Sequence, residues 1–285
     1  MAIDKQKLLA SLDSVPAFPS SVHKILELTS KTDCQPKELV GVIEHDPILT
    51  IKVLKLVNSA YFGLSREVVS IGHAVVYVGL NTIKNVAISV AAKGVLPKDN
   101  KAGLDMDEFW LHSLTVGVIG RMLARLKGLP ETEVANFFVA GLLHDIGKIF
   151  LAHFHPTDYQ AVINEQSLTH TAIADIEETQ LGISHATLGG KLSEKWELPS
   201  DLIRAISHHH DIQKLTDAGD LEIGLACANS IANHMCHEIG DNNDKPSPGL
   251  NNIEQDWLGM SLEDTLAAMT DLDSEISKAK MFIEN

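Results

Sequence analysis

The sequence predicts an all-α fold, and three observations carry the prediction. Apolar residues recur at helical spacing through most of the chain, as in Val22, Ile25, Leu26 and Leu28. Helix-start signals, above all a proline at the first helical position, stand before several of these runs. The breaks between runs are only a few residues long, which suits consecutive packed helices.

Residues 1–12 read as a short helix or arm. Pro16 and Pro19 bracket Ala17 and Phe18, and a residue before proline avoids the helical region, so an extended entry segment follows. Ser20 and Ser21 can cap the helix that begins near Val22. Pro36 opens the next helix, with Leu39, Val40, Val42 and Ile43 as its buried side. Asp46-Pro47 joins an N-cap carboxylate to a first-turn proline, and the helix behind it carries Ile51, Val53, Leu54, Leu56 and Val57 before stopping near Asn58 to Gly63. Ile71 to Leu80 is rich in valine, which alone favours a strand. Its length and the spacing from Ala74 to Leu80 favour a short helix. A helix from Asn81 to Gly94 then completes a helical subdomain over residues 1–97.

After a polar linker, Pro97 to Gly103, a second helical unit spans residues 104–239. Its helices are expected over Asp107–Lys127, Glu131–Phe150, Pro156–Leu168, Ile173–Gly182, from His185 onward, Asp201–His208 and Leu221–Ile239. Residues 240–285 read as an exposed loop rich in Asn, Asp, Pro, Ser and Gly, followed by a C-terminal helix. That helix would place Leu262, Leu266, Met269, Leu272, Ile276 and Ile283 near one face and dock on the body.

Composition narrows the function. The chain has 285 residues and a formal net charge of -15, which argues against a general nucleic-acid binder because such proteins carry a basic field. A basic partner is favoured over an acidic one. No run of about 18 apolar residues is read, so no membrane span is expected, and Met1 to Leu12 lacks a signal-peptide core. Cys34, Cys227 and Cys236 are odd in number and widely spaced, which points to a reducing cytoplasm and inert thiols. The fourteen histidines are the unusual feature.

The most informative stretch runs from Phe137 to Lys148. It is an apolar helical run ending in adjacent His144 and Asp145, then Gly147 and Lys148. Imidazole and carboxylate placed in or beside a core are costly unless they share a cation, and together they suit a transition-metal ion. Neighbours on a helix diverge by about 100°, so the pair would grip an ion lying across the helix surface. Glu108 and His112, four apart, share a helix face. His185 opens another helix, and His209 and His210 end the next. One such histidine alone is more often a satisfied core or surface residue. As a set in apolar helices they suit a bundle interior, where facing helices build carboxylate-histidine sites.

The run His144-Asp145-Ile146-Gly147-Lys148 resembles the central motif of the HD superfamily of metal-dependent phosphohydrolases. The N-terminal unit is more specific. Pro16-Ala17-Phe18-Pro19, Ile43-Glu44-His45-Asp46-Pro47, Leu56-Val57-Asn58-Ser59-Ala60-Tyr61-Phe62-Gly63 and Val78-Gly79-Leu80 together resemble the HDOD domain, a bacterial relative of those enzymes, over about residues 12–235. The resemblance implies an N-terminal helical subdomain packed on an HD-like helical bundle. It also implies metal ligands at His112, His144, Asp145, His185, His209 and His210, with Glu108 at the place of a further acidic ligand in some HD-GYP-type phosphodiesterases. Lys148 then matches a lysine that contacts a phosphate oxygen, and Asp145 a carboxylate that orients water. The cofactor implied is one or two divalent transition-metal ions, iron, manganese, nickel or zinc by ligand type.

Two departures bear on activity. The HD pattern ends in an aspartate on a late helix, where this chain reads Ala226-Cys227-Ala228-Asn229-Ser230. The Gly-Tyr-Pro loop of cyclic-dinucleotide phosphodiesterases is absent, and Asp211 to Asp220 stands in its place. The favoured expectation is therefore an HDOD-type signalling or regulatory protein with a retained metal site, binding a signalling protein or a nucleotide. The alternative is an active phosphohydrolase on a nucleotide or cyclic dinucleotide. A helical scaffold without metal is the third reading. His208 abuts the chosen pair and could exchange with it by a one-residue shift. His23, His45, His73, His153, His155, His170, His234 and His237 lack a partner pattern, and Tyr61, Phe62 and Trp196 read as packing anchors.

Overall fold

Capping chemistry sets the first helices. The structure, a computed structural model, describes residues 5–30, 34–97, 100–239 and 250–280, without the side chains of 236–239. Helix α1 (Lys5–Ser11) precedes the proline-bracketed segment, and α2 spans Ser20–Thr29. The expected serine cap of α2 is not used. Pro19 holds the N-cap position, and the Ser21 hydroxyl instead donates to Asp46 Oδ2 at 2.7 Å. Helix α3 (Pro36–Glu44) begins with a capping box between Gln35 and Glu38. Helix α4 (Pro47–Val57) begins with Asp46 accepting from the Leu49 N–H at 3.0 Å.

Asn58 explains where α4 stops. Its amide donates to the Val68 carbonyl at 2.8 Å and accepts from the Val68 N–H at 2.7 Å, closing the loop that carries Tyr61 and Phe62. The valine-rich stretch is helical, α5 (Ile71–Val78), and is capped by Ser70. Gly79, at φ 84°, bends the chain by 118° into α6 (Leu80–Val95). A side chain would strain that left-handed conformation. Among the described residues no strand occurs.

The remaining helices are α7 (Met106–Leu126), α8 (Glu131–Leu143), α9 (Ile146–Phe154), α10 (Pro156–Thr169), α11 (Ile173–Leu181), α12 (His185–Lys195), α13 (Ser200–His208) and α14 (Asp220–Ile239). Helices α7, α8 and α14 pack on one another, α12 lies on α9 and α13, and α6 joins the N-terminal helices to α8. One hydrophobic core runs through both halves, from Leu8 to Ala279. The entry segment is pinned to the bundle by Trp196, which stacks on Phe18 at 4.7 Å and donates from Nε1 to the Pro16 carbonyl at 3.1 Å.

Two expectations need correction. The run expected as one helix from Glu131 to Phe150 breaks at His144 and Asp145, giving α8 and α9. By length and composition Glu131–Phe154 could cross a membrane, but its apolar window is 83% buried inside the fold, as in a core helix. The single C-terminal helix expected to carry Leu262 to Ile283 is instead two short ones, α16 (Leu262–Ala268) and α17 (Leu272–Ala279), preceded by a further short helix, α15 (Asn252–Leu258). The Asn251 and Ser261 side chains cap α15 and α16, Asp271 precedes α17 without a capping bond, and α17 packs on α7. Residues 240–249, within the expected loop, and Ile283 lie outside the described residues. So does the side chain of Cys236, whereas Cys227 is fully buried and its thiol is pushed up by desolvation.

Candidate metal centre

The break between α8 and α9 builds the centre. Asp145 leaves the helical region at φ -100°, ψ 7°, so the two neighbours need not diverge as they would on a continuous helix. Asp145 is 1% exposed and His144 is fully buried. Gly147, one residue into α9, lets the α12 N-terminus approach. A Cβ there would overlap the His185 carbonyl oxygen. Gly141 does the same for α7, since a Cβ would strike the Gly117 backbone. These small residues bring α7, α9 and α12 within side-chain reach of Asp145.

The carboxylate of Asp145 divides the ligands into two groups. Around Oδ1 lie His185 Nε2 at 3.0 Å and His209 Nε2 at 3.6 Å, and His210 Nε2 is 3.1 Å from His185 Nε2. Around Oδ2 lie His144 Nε2 at 3.3 Å and His112 Nε2 at 3.7 Å, with Lys148 Nζ donating at 2.6 Å. Asp145, His185, His209 and His210 can offer ligand atoms within 4.8 Å of one another, and so can His112, His144 and Asp145.

The outer face of each ring fixes its tautomer. Nδ1 of His144 faces the Gly141 carbonyl at 2.7 Å, Nδ1 of His209 faces the Ile206 carbonyl at 2.8 Å, and Nδ1 of His185 faces Glu177 at 2.6 Å. A carbonyl or carboxylate partner calls for the proton on Nδ1, which leaves the Nε2 lone pair directed inward. His144 Nε2, His209 Nε2 and Asp145 Oδ1 are then buried without a hydrogen-bond partner. Such orphaned groups are costly. Imidazole nitrogens and a carboxylate left in this state fit a transition-metal ion.

Electrostatics agree. Burial drives His112 down to about 3 and His209 to about 4, against the pull of Asp145, and lowers His210 as well. These rings are neutral, as metal ligation requires. Burial also opposes ionisation of Asp145, but His144, Lys148 and His185 outweigh it and hold the carboxyl below its ordinary range. His185 is raised because Glu177 and Asp145 overcome its desolvation.

Glu108 is not brought in. It sits exposed in the first turn of α7, its N–H capped by Asp105, and lies outside both groups. His208 is half-buried, faces the Arg204 carbonyl through Nδ1 and also lies outside them. Asn229 lies against His112, at the edge of the Oδ2 group, and favours its protonated form.

Glu177 is the residue that sequence reading missed. It is fully buried and accepts from both the backbone N–H and Nδ1 of His185 at 2.6 Å. The signal was present, because Ala174, Glu177 and Leu181 share one face of α11 and the other two are apolar. Behind it lies the fully buried Tyr159 hydroxyl, held neutral first by burial and then by Glu177.

The HDOD domain family matches residues 15–212. An uncharacterized protein of Treponema pallidum (strain Nichols) is 29% identical over 210 residues, which is 72% of this chain and 40% of that protein's length. An HDOD domain protein of unknown function from Geobacter sulfurreducens has a similar structure, with TM-score 0.76 at 24% identity, covering 98% of this chain and 96% of that one. A protein from Shewanella amazonensis SB2B, provisionally described as a phosphohydrolase, gives TM-score 0.73 at 25% identity, with 95% and 97% covered.

Proposed function

Because the chain belongs to the HDOD domain family, we propose that it is a signalling or regulatory module with a retained HD-type metal site. The observation that carries this reading is that three buried atoms without a hydrogen bond, His144 Nε2, His209 Nε2 and Asp145 Oδ1, gather around the two oxygens of the Asp145 carboxylate, His144 beside Oδ2 and His209 beside Oδ1. His185, His209 and His210 with Asp145 Oδ1 would hold one ion, and His112 and His144 with Asp145 Oδ2 a second. Iron, manganese, nickel and zinc suit this donor set. Such an ion supplies Lewis acidity and lowers the pKa of bound water.

The chain's own residues favour holding over turnover. Asn229, beside His112, offers an amide where a carboxylate would add charge. Lys148 is engaged by Asp145 rather than held out for a phosphate. The ion would then order the junction of α8, α9, α12 and α13, so that its binding reaches a partner protein or a nucleotide through the bundle.

The second reading, a metal-dependent phosphohydrolase, is favoured by one feature. His112 and Lys148 are partly exposed, so the centre is open on that side, and Lys148 can reach a phosphate oxygen there. Assaying phosphodiester and phosphomonoester cleavage with added metal, in the natural chain and in Asp145→Ala, separates the two. Cleavage abolished in the variant establishes the enzyme. Metal bound without cleavage establishes the regulatory module.

A further inference from the structure

A cavity of about 320 Å³ lies where the N-terminal helices meet the bundle, and the metal centre makes no use of it. It is bounded by the Tyr61-Phe62 turn after α4 and by residues of α6, α7, α8 and α17. Arg121 and His112 are nine residues apart on α7. That is about two and a half turns, so the two leave opposite sides of the helix.

The polar lining is incompletely satisfied. Arg121 is 9% exposed, and its guanidinium lies 4.2 Å over the Tyr61 ring. One nitrogen donates to Glu275 of α17, but Nε has no acceptor. Arg125, one turn on, donates to Glu131 at 2.9 and 3.1 Å. Asn85 is 3% exposed and donates to Asn136 at 3.0 Å, while its Oδ1 has no donor. A buried N–H and a buried carbonyl without partners each carry a desolvation cost that the fold does not explain. The same cavity has an aromatic wall of Tyr61, Phe62 and Phe138.

We propose that this cavity binds a small planar ring compound bearing an oxyanion. The guanidinium fork matches carboxylate or phosphate, and the aromatic wall matches a flat apolar ring. Where the ring carries an N–H or O–H, as the amino group of adenine does, it satisfies Asn85 Oδ1. Ligand pockets start at about 300 Å³, so the space suits one ring system with one anionic group. Glu275 and Glu131 already show that these arginines take carboxylates, and the ligand's oxyanion competes with Glu275. A mononucleotide and an aromatic carboxylate share this chemistry. The inference holds whether or not the centre at Asp145 carries metal.

Isothermal titration of the full chain with adenosine monophosphate, benzoate, adenosine and inorganic phosphate tests it. Adenosine monophosphate or benzoate should bind one to one, at least about tenfold tighter than adenosine or phosphate alone. Which of the two binds identifies the source of the oxyanion. Arg121→Met should weaken that binding about tenfold. Glu275→Gln, which removes the competing carboxylate, should tighten it, and His209→Ala should leave it unchanged. If Arg121→Met does not fold, Glu275→Gln decides alone. The proposal is overturned if neither ring oxyanion binds at about 1 mM. Affinity unmoved by Glu275→Gln, or lost in His209→Ala, also overturns it.

Discussion

Replacing Glu177 with glutamine should weaken metal binding without touching a ligand. Glu177 makes two charge-assisted bonds to His185, one to the backbone N–H and one to Nδ1, both 2.6 Å. Glutamine keeps the shape and one acceptor oxygen but loses the charge. A bond to a charged group contributes about 1.5–3 kcal/mol and a neutral one about 0.5–1.5 kcal/mol, so each bond loses about 1–1.5 kcal/mol. The Nδ1 bond alone bears on the Nε2 lone pair. Its loss corresponds to about a tenfold drop in affinity, at the lower end of the effect of altering outer-shell partners of metal-bound histidines. The backbone bond adds a similar loss of folding stability. Competition titration against a fluorescent chelator reads the first, and urea unfolding of the metal-free chain reads the second. Unchanged metal affinity in a folded Glu177→Gln variant would refute the assignment of Glu177 as the group that orients and polarises His185.

Other outcomes follow from the same geometry. Asn229→Asp, which puts a carboxylate beside His112, should tighten metal binding and raise the pKa of His112 in the metal-free chain, measurable by the same titration and by NMR. Gly147→Ala places a methyl group on the His185 carbonyl. It should destabilise the fold by about 1–3 kcal/mol, as overpacking does, and lower metal content, with urea unfolding and elemental analysis as readouts. The metal-free chain should lose stability as pH falls from 6.5 towards 4. His112 and His209 ionise in the unfolded chain near 6.5 but in the folded chain only near about 3 and about 4, so the unfolded state binds more protons across that window. His210 acts in the same direction. His185 acts oppositely, contributing stability below 6.5 that is lost as pH rises through its raised folded value. Thermal melts across this range in chelator should show the net fall, and a flat profile would contradict it.

Much of this was legible in the sequence, for identifiable reasons. Asp46-Pro47 and Pro36 are local signals whose physics is complete within one turn, and both helices begin there. The all-α fold followed from periodicity, which survives whatever the tertiary context. The break at His144-Asp145 was not legible, because no proline stands there and the nearby glycines, Gly141 and Gly147, lie inside the helices on either side, with the apolar run resuming at Ile146. Asp145 relinquishes helical geometry there and gains His144, His185 and Lys148 as partners. Glu108 illustrates the opposite failure. Helical spacing placed it on the face of His112, but α7 starts only at Met106, which leaves Glu108 exposed in the first turn. Glu177 was hidden because a glutamate in a helix is ordinarily solvated. Only its place between Ala174 and Leu181 distinguished it. The C-terminal face was read as one helix because spacing alone does not register the stop at Met269.

The central claim is that the orphaned atoms around Asp145 hold a transition metal. Elemental analysis of the chain purified without chelator, beside Asp145→Ala and His209→Ala, tests it most directly. The account predicts one or two equivalents of iron, manganese, nickel or zinc in the natural chain, lost in Asp145→Ala and reduced in His209→Ala. A folded natural chain free of metal that takes none up when it is supplied would contradict it. So would a metal content that Asp145→Ala leaves unchanged.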